Sequence, residues 1–156
     1  MNKAIMSPAP GSGVQEFLGG VEQARLDYCR GVQQVEKLFH RAVEEGEQRG
    51  ACALEEDTLR QLVQARGALE GLRRDWQSRE AAAEEFLGGV ADPRLRMILR
   101  LRYVDLKPWP KVQEELERSG ILYDQRNVFY LHKKALEQAG QLWRQGGGCS
   151  GETGLV

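Results

Sequence analysis

The sequence predicts an all-α protein, in which a long antiparallel helical hairpin with a coiled-coil-like pattern precedes a three-helix helix-turn-helix module. The first observation is a pair of apolar stripes, separated by a glycine-containing break, whose members recur at steps of three and four residues. The second is a series of three shorter segments in the last third of the chain, bounded by proline, glycine and aspartate. Cations are gathered on the last of these segments, an arrangement that suits a helix presented to a partner.

The first long helix is predicted from residue 14 to residue 43. Gly19 and Gly20 each disfavour a helix by about 1 kcal/mol relative to alanine, so we expect its stable part to begin near Val21. Further glycines interrupt the pattern, and residues 44–53 are therefore predicted to be a linker. The apolar stripe of this helix consists of Leu18, Val21, Ala24, Tyr28, Val32, Val35, Phe39 and Ala42.

The second long helix is predicted from about residue 56 to residue 86. Its stripe consists of Leu62, Ala65, Leu69, Leu72, Trp76, Arg79, Ala83 and Phe86. Two long helices with one break between them fold back on each other most simply, so residues 14–90 are predicted to form an antiparallel hairpin. Arg79 is the one charged member of the stripe, and we expect its long side chain to reach water.

Residues 92–145 are predicted to form the helix-turn-helix module. Asp92 can cap the first of its helices, and the proline that follows favours the first helical position. Trp109, which lies between two prolines, opens the second helix, and a Ser-Gly pair ends it. Asp124 is predicted to cap the third helix, which runs from residue 125 to about residue 143.

The charge distribution separates this module from the rest of the chain. The whole sequence of 156 residues has a net charge of -1. Residues 92–145, however, hold 11 Lys/Arg and 7 Asp/Glu, a net charge of +4, whereas the other residues hold 11 and 16, a net charge of -5. A basic module on an acidic scaffold favours a polyanion as the partner.

The third helix of the module has two distinct faces when its residues are placed at 100° intervals. The inward face is predicted to consist of Val128, Leu131, His132, Ala135 and Leu136. The opposite face holds Arg126, Tyr130 and Lys133, flanked by Asn127 and Lys134. Guanidinium, ammonium, amide and phenol groups suit phosphate oxygens and base edges, so these five residues are predicted to contact double-stranded DNA. A solvated basic face without a partner is the alternative interpretation.

Two residues that could suggest chemistry are predicted to be structural. His132 falls in the inward sector, so we expect a half-buried ring that is hydrogen-bonded to a backbone carbonyl. Trp109 could stack on a base, but its position beside Val112 and Leu116 favours an anchor in the core.

The sequence predicts neither an enzyme nor a cofactor-binding protein. It has no glycine-rich phosphate loop, no nucleophile with a base at motif spacing, and no cluster of metal ligands. Cys29, Cys52 and Cys149 are widely spaced and are predicted to be free thiols in a reducing cytoplasm. Apolar runs fall short of the roughly 18 residues of a membrane span. Residues 1–13 and 146–156, which are rich in small residues, are predicted to be disordered and to carry no signal peptide.

Each of the three helices of the module contains a short motif. Leu101-Arg102-Tyr103 ends the first helix, Trp109 opens the second, and Val112 follows three positions later. The last helix contributes Asp124, Arg126, Val128, Phe129, Leu131, His132, Ala135 and Leu136. With these residues the chain resembles the phage- and prophage-encoded transcriptional regulators of the sigma-factor region 4-like group, which are relatives of late-gene activators. Aspartate replaces the family's serine at the helix cap, and phenylalanine replaces a tyrosine.

The resemblance implies transcriptional control of phage late genes in the cytoplasm of a bacterial host, with RNA polymerase as a further partner. One departure concerns the separation of Trp109 and Asp124, which exceeds that in the family's pattern. The additional residues fall around residues 117–122. They either lengthen the second helix or enlarge the turn that precedes the third helix.

Two other functions and two assembly states remain open. The chain could be a helical protein-protein interaction or structural protein, or a small phage packaging (terminase) subunit, which also combines a helix-turn-helix with oligomerising helices. The apolar stripes of the hairpin could pair within one chain or between chains. We expect a homodimer, because recognition of paired half-sites in DNA brings two modules together.

Overall fold

The chain is all-α, as predicted, in a computed structural model that describes residues 12–49, 56–121 and 125–147. No β-strand occurs in these ranges. The α-helices are α1 (Ser12–Arg49), α2 (Glu56–Leu87), α3 (Pro93–Leu99), α4 (Trp109–Arg118) and α5 (Gln125–Leu142). Helix α3 continues as a π-helical turn, Arg100–Val104, and α5 continues as another, Trp143–Gly147. None of the helices in these ranges is long and apolar enough to cross a membrane.

The chain forms two compact units, and each contains part of both long helices. The hairpin unit is Gln23–Arg79, and the base unit combines Met1–Glu22 with Glu80–Val156. The ends of α1 and α2 that belong to the base unit therefore pack with the three shorter helices.

The two helices of the hairpin unit run antiparallel, since residues early in α1 contact residues late in α2. The rings of Tyr28 and Trp76 lie 5.6 Å apart between their centroids. Near the other end of the unit, the hydroxyl of Thr58 donates a hydrogen bond of 2.9 Å to Oε1 of Glu45. These two contacts confirm the predicted antiparallel hairpin.

Helix α1 extends beyond its predicted limits in both directions. It begins at Ser12 and passes through Gly19 and Gly20 without a break. Full burial of Val14, Leu18 and Val21 explains this, because each buried side chain contributes about 1.5–3 kcal/mol and offsets the glycine cost. At its other end α1 continues to Arg49, so the prediction of a linker is wrong for residues 44–49. Residues 50–53 lie outside the described ranges.

The apolar stripes are confirmed with one exception. The periodicity predicts that Phe39 faces α2, but its neighbour Leu38 is buried instead and Phe39 is 55% exposed. The reason is helical geometry, because a strict heptad step drifts by about 20° per repeat relative to a straight α-helix, and adjacent residues differ by about 100°. Arg79 is exposed, as predicted, and its Nε lies 3.1 Å from Oδ2 of Asp75.

The helix boundaries of the base unit follow the predicted start and stop signals. The carboxylate of Asp92 accepts a hydrogen bond of 2.9 Å from the backbone N–H of Arg94 at the start of α3. Helix α4 is followed, two residues after its last residue, by a glycine in the left-handed region, Gly120, with a φ of 76°. This conformation lets the N–H of Ile121 bond to the carbonyl of Leu116 at 2.9 Å, a C-terminal capping motif. The predicted cap Asp124 lies outside the described ranges.

An aromatic cluster joins the long helices to the end of α5 within the base unit. The ring of Trp143 lies 5.0 Å from that of Phe17 and 5.7 Å from that of Phe86. Gly89 allows a close approach beside the cluster, since a Cβ there would lie 2.9 Å from a methyl group of Leu142. The C-terminal end of α5 is therefore fixed against both α1 and α2.

Candidate nucleic-acid interface

Helix α5 is anchored through one apolar face. Its buried apolar side chains are Val128, Leu131, Ala135 and Ala139, which recur at steps of three and four positions. His132 and Leu136, between them, are half-buried. All five residues that were predicted to face inward do so, and α5 packs mainly against α3. The opposite side of the helix is consequently left toward solvent.

A cluster of rings sets the orientation of α5 relative to α3 and α4. The imidazole of His132 stacks on the ring of Tyr103 at a centroid distance of 5.8 Å and meets the edge of Trp109 at 4.7 Å. Trp109 also lies 5.5 Å from the ring of Phe129. The guanidinium carbon of Arg102 lies 4.9 Å from the Trp109 centroid, in cation–π contact. Trp109 is thus a packing residue, as predicted, and its contacts are with aromatic and basic side chains.

His132 is hydrogen-bonded, but its partner differs from the predicted backbone carbonyl. The hydroxyl of Tyr103 lies 2.9 Å from Nε2 of His132. Burial, and secondarily the nearby charge of Arg102, lowers the pKa of His132 to about 4. Burial also raises the pKa of Tyr103. Both groups are therefore neutral at pH 7, and their hydrogen bond links the π-helical turn after α3 to α5.

The outward face of α5 presents an aromatic ring and two ammonium groups. Tyr130 is 57% exposed, and Lys133 and Lys134 are exposed. The ammonium nitrogen of Lys134 lies 5.5 Å from the ring centroid of Tyr130, which steadies both side chains. Neither lysine forms an ion pair with a residue of the described ranges. These two cations are therefore available to an external anion.

The other predicted contact residues differ in their surroundings. Asn127 is half-buried and is engaged in an interaction within the chain. The backbone of Arg126 belongs to α5, but its side chain lies outside what the structure describes. Phe129, which the sequence pattern assigned to neither face, is 48% exposed, and its ring also contacts that of Trp109. It therefore borders the contact face but belongs to the ring cluster that supports α5.

Helix α4 carries cations too, but acidic neighbours neutralise them. Nη1 of Arg118 lies 3.0 Å from a carboxylate oxygen of Glu115, and Nη2 lies 3.7 Å from Glu114. The ammonium of Lys111 lies 3.4 Å from Glu114. Glu117, the third acid of the run, accepts a hydrogen bond from Gln113 at 3.0 Å. The acidic run on α4 is thus largely paired with its own helix, which reduces its repulsion of a nearby phosphate.

The longer spacing between Trp109 and the start of α5 does not extend α4 beyond Arg118. Helix α4 ends at Arg118, and α5 begins at Gln125. Ser119, Gly120 and Ile121 form a capped turn directly after α4. Of the two possibilities that the sequence left open, the structure therefore argues against a second helix extended through these residues.

No protein-family model matches the chain, and neither curated proteins nor solved structures give a match. Among the described residues, no group of three or more metal-ligating side chains is assembled. The local geometry and charge of α5 are therefore the features that indicate a function.

Proposed function

We propose that this chain is a non-enzymatic, sequence-specific transcriptional regulator that binds double-stranded DNA by inserting α5 into the major groove. The observation that carries the proposal is the contrast between the cations of α4 and α5. Arg118 and Lys111 are bound to carboxylates of their own helix, whereas Lys133 and Lys134 are exposed without such partners in the described ranges. Unpaired cations beside an exposed phenol match the groups that contact phosphates and base edges.

The packing contacts that hold α5 in place also suit this function. A recognition helix must keep one face fixed while the other enters the groove. The contacts of His132 with Tyr103 and Trp109 hold the middle of α5, and the Trp143 cluster holds its C-terminal end. Neither anchor uses Tyr130, Lys133 or Lys134. The support and the proposed DNA-binding face are therefore separate sets of residues.

The resemblance to sigma-factor region 4-like regulators extends the proposal to the control of phage late genes and to contact with RNA polymerase. It also favours the cytoplasm of a bacterial host as the site of action. Within this proposal, Arg126 and Asn127 at the start of α5 join Tyr130, Lys133 and Lys134 in contacting DNA. Arginine and asparagine are the side chains that most often pair with guanine and adenine, respectively.

A titration of the full chain with duplex DNA tests this function. Fluorescence anisotropy with pooled genomic fragments should be repeated over a series of salt concentrations. We expect the logarithm of the binding constant to fall linearly with the logarithm of the salt concentration. Each phosphate contact contributes about 0.9 to that slope, so we expect a slope of roughly two to five. Absence of binding at low salt would exclude the proposal and would leave the protein-interaction and packaging functions.

A further inference from the structure

The hairpin unit carries an exposed apolar patch that its own two helices leave uncovered. The patch consists of Phe39 and Val43 on α1 and of Leu59 and Val63 on α2, with exposures of 55, 41, 44 and 63%. Each pair is spaced four residues apart, so its two members lie on the same side of their helix. A single exposed apolar residue is ordinary, but a cluster of large ones marks an interaction surface.

All four side chains lie along one edge of the hairpin. Nη1 of Arg41 donates a hydrogen bond of 3.3 Å to Oε1 of Gln61, and this bond bridges α1 and α2 on one edge. A step of two residues turns about 200° around an α-helix. Phe39 and Val63, which are each two positions from the bridged residues, therefore point to the opposite edge. Because the helices are antiparallel, Phe39 and Val63 also lie at the same height.

Two side chains of opposite charge lie next to the apolar patch on the same edge of the hairpin. Glu36 lies three positions before Phe39, and Arg66 lies three positions after Val63, so both share the side of the patch. Both are exposed, and neither has an ion-pair partner within the described part of the chain. The edge thus carries a negative group on α1 and a positive group on α2 at one height.

We propose that the apolar patch binds a second copy of this chain, with the two hairpin units related by a two-fold axis parallel to their helices. Such an axis places α1 of one copy against α2 of the other at the same height. Phe39 and Val43 then pack on Val63 and Leu59 of the second copy, and Glu36 meets Arg66 of the second copy. Each contact occurs twice, as an isologous interface requires, and the four helices form a bundle.

This interface is independent of DNA binding and differs from the pairing that the sequence suggested. The apolar stripes of α1 and α2 are used within the chain, so association between copies needs another surface, and the apolar patch is one. A surface of this size buries on the order of 1,000 Å² in total, the lower end of the range for specific interfaces. We therefore expect dissociation constants of about micromolar magnitude.

Sedimentation velocity of the full chain over a concentration series reaching roughly 200 μM tests the proposal. The parent should be dimeric, and Phe39→Gln or Val63→Gln should raise the dissociation constant roughly tenfold or more. Leu26→Gln is the matched control, because Leu26 is an exposed leucine of the same unit on a different side of α1. It should leave the dimer intact. Circular-dichroism melts establish that all three variants keep the fold of the parent.

A charge-swap experiment with Glu36 and Arg66 distinguishes this interface from other ways in which two copies could associate. Glu36→Arg alone and Arg66→Glu alone each create two repulsive contacts, so each variant should be monomeric. Mixed in equal amounts, the two should form a heterodimer, because both pairs become attractive again. The control mixture combines Glu36→Arg with Arg60→Glu, which makes the same charge change on the outer side of α2. Arg60→Glu should form homodimers like the parent, but it should form no heterodimer with Glu36→Arg, because the arginine introduced at position 36 of one copy still faces Arg66 of the other.

Three results would overturn the proposal. The first is a monomeric parent at the highest concentration. The second is equal heterodimer formation in the test mixture and the control mixture, which would indicate attraction through net charge alone. The third is a ring of eight or more copies, which would also favour a packaging subunit over a regulator.

Discussion

The hydroxyl of Tyr103 lies 2.9 Å from Nε2 of His132, and this hydrogen bond joins the π-helical end of α3 to the middle of α5. The bond lies beneath the helix that we propose to enter DNA. It also places the one strongly shifted histidine of the described residues at the junction of the three short helices. The stability of the base unit should therefore depend on pH and on the phenol of Tyr103.

Acidification should destabilise the base unit through His132. Its pKa is about 4 in the folded chain, below the ordinary value of 6.5, so the unfolded chain takes up a proton first as the pH falls. The contribution of the neutral ring is complete above pH 6.5, declines as the pH falls toward about 4, and is lost below it. We expect a loss of about 1–2 kcal/mol, a discounted figure because the ring is only half-buried.

Urea unfolding of the parent and of His132→Gln at several values between about pH 7.5 and pH 4.5 measures this effect. Carboxylates titrate in both proteins, so the difference between the two isolates the contribution of His132. The stability gap between parent and variant should narrow as the pH falls. A gap that stays constant with pH would show that His132 is protonated to the same extent in the folded and unfolded chains.

Removal of the Tyr103 hydroxyl should destabilise the same junction. Tyr103→Phe keeps the ring that stacks on His132 but leaves Nε2 without its partner, which costs about 1 kcal/mol. Tyr130→Phe is the matched control, because that hydroxyl belongs to an exposed side chain. The control should remain within about 0.5 kcal/mol of the parent in urea unfolding. Equal effects of the two substitutions would mean that the hydrogen bond contributes nothing to stability.

Much of this architecture could be predicted from local patterns in the sequence. Asp92 before a proline gave the start of α3, and Gly120 gave the end of α4, because both signals act through the backbone of their immediate neighbours. The two faces of α5 followed from 100° periodicity in the same way. The longer extent of α1 could not be predicted, because burial of Leu18 and Val21 by other parts of the chain outweighs the cost of the two glycines between them.

The hydrogen-bond partner of His132 could not be predicted from the sequence either. Its position in the inward sector indicated burial, but a tyrosine hydroxyl from another helix became its partner only through tertiary packing. The exposure of Phe39 had a similar origin, since a small drift in the stripe exchanged it with Leu38. Local periodicity specifies a face of a helix, whereas the choice between adjacent residues depends on the helix packed against it.

Two glycines of the hairpin unit should respond oppositely to alanine. A Cβ at Gly67 would meet no neighbouring atom within 4 Å, so Gly67→Ala should raise helix propensity and stabilise the chain by about 0.5–1 kcal/mol. A Cβ at Gly31 would lie 3.0 Å from methyl groups of both Leu69 and Leu72. Gly31→Ala would displace these two leucines, and the cost of that displacement should cancel the stabilisation from higher helix propensity. Thermal melts of the two variants measure the difference. Equal stabilisation would show that α1 and α2 are not in close contact at Gly31.

Substitution of Arg126 tests whether the start of α5 reads bases. If its guanidinium pairs with a guanine, Arg126→Ala should weaken binding by about 1–3 kcal/mol and reduce discrimination between specific and random duplexes. Competition titrations with both kinds of duplex measure this discrimination. An unchanged ratio of the two affinities would remove Arg126 from base recognition, even if binding became weaker overall.

The contrast between paired and unpaired cations gives the sharpest test of the DNA-binding face. Lys133→Ala and Arg118→Ala each remove one positive charge from an exposed position, so they change the net charge of the chain equally. Lys133 lacks an ion-pair partner in the described ranges, and its loss should make the logarithmic salt slope shallower by about 0.9. Arg118 is bound to Glu114 and Glu115, so its substitution should leave the slope unchanged.

Anisotropy titrations of both variants across the same salt series decide between a specific face and a general electrostatic effect. Thermal stability should stay within about 0.5 kcal/mol of the parent for Lys133→Ala, because the side chain is exposed. If Arg118→Ala weakens binding as much as Lys133→Ala does, net charge governs the affinity and α5 has no special role. If only Arg118→Ala weakens it, α4 rather than α5 is the element that contacts DNA.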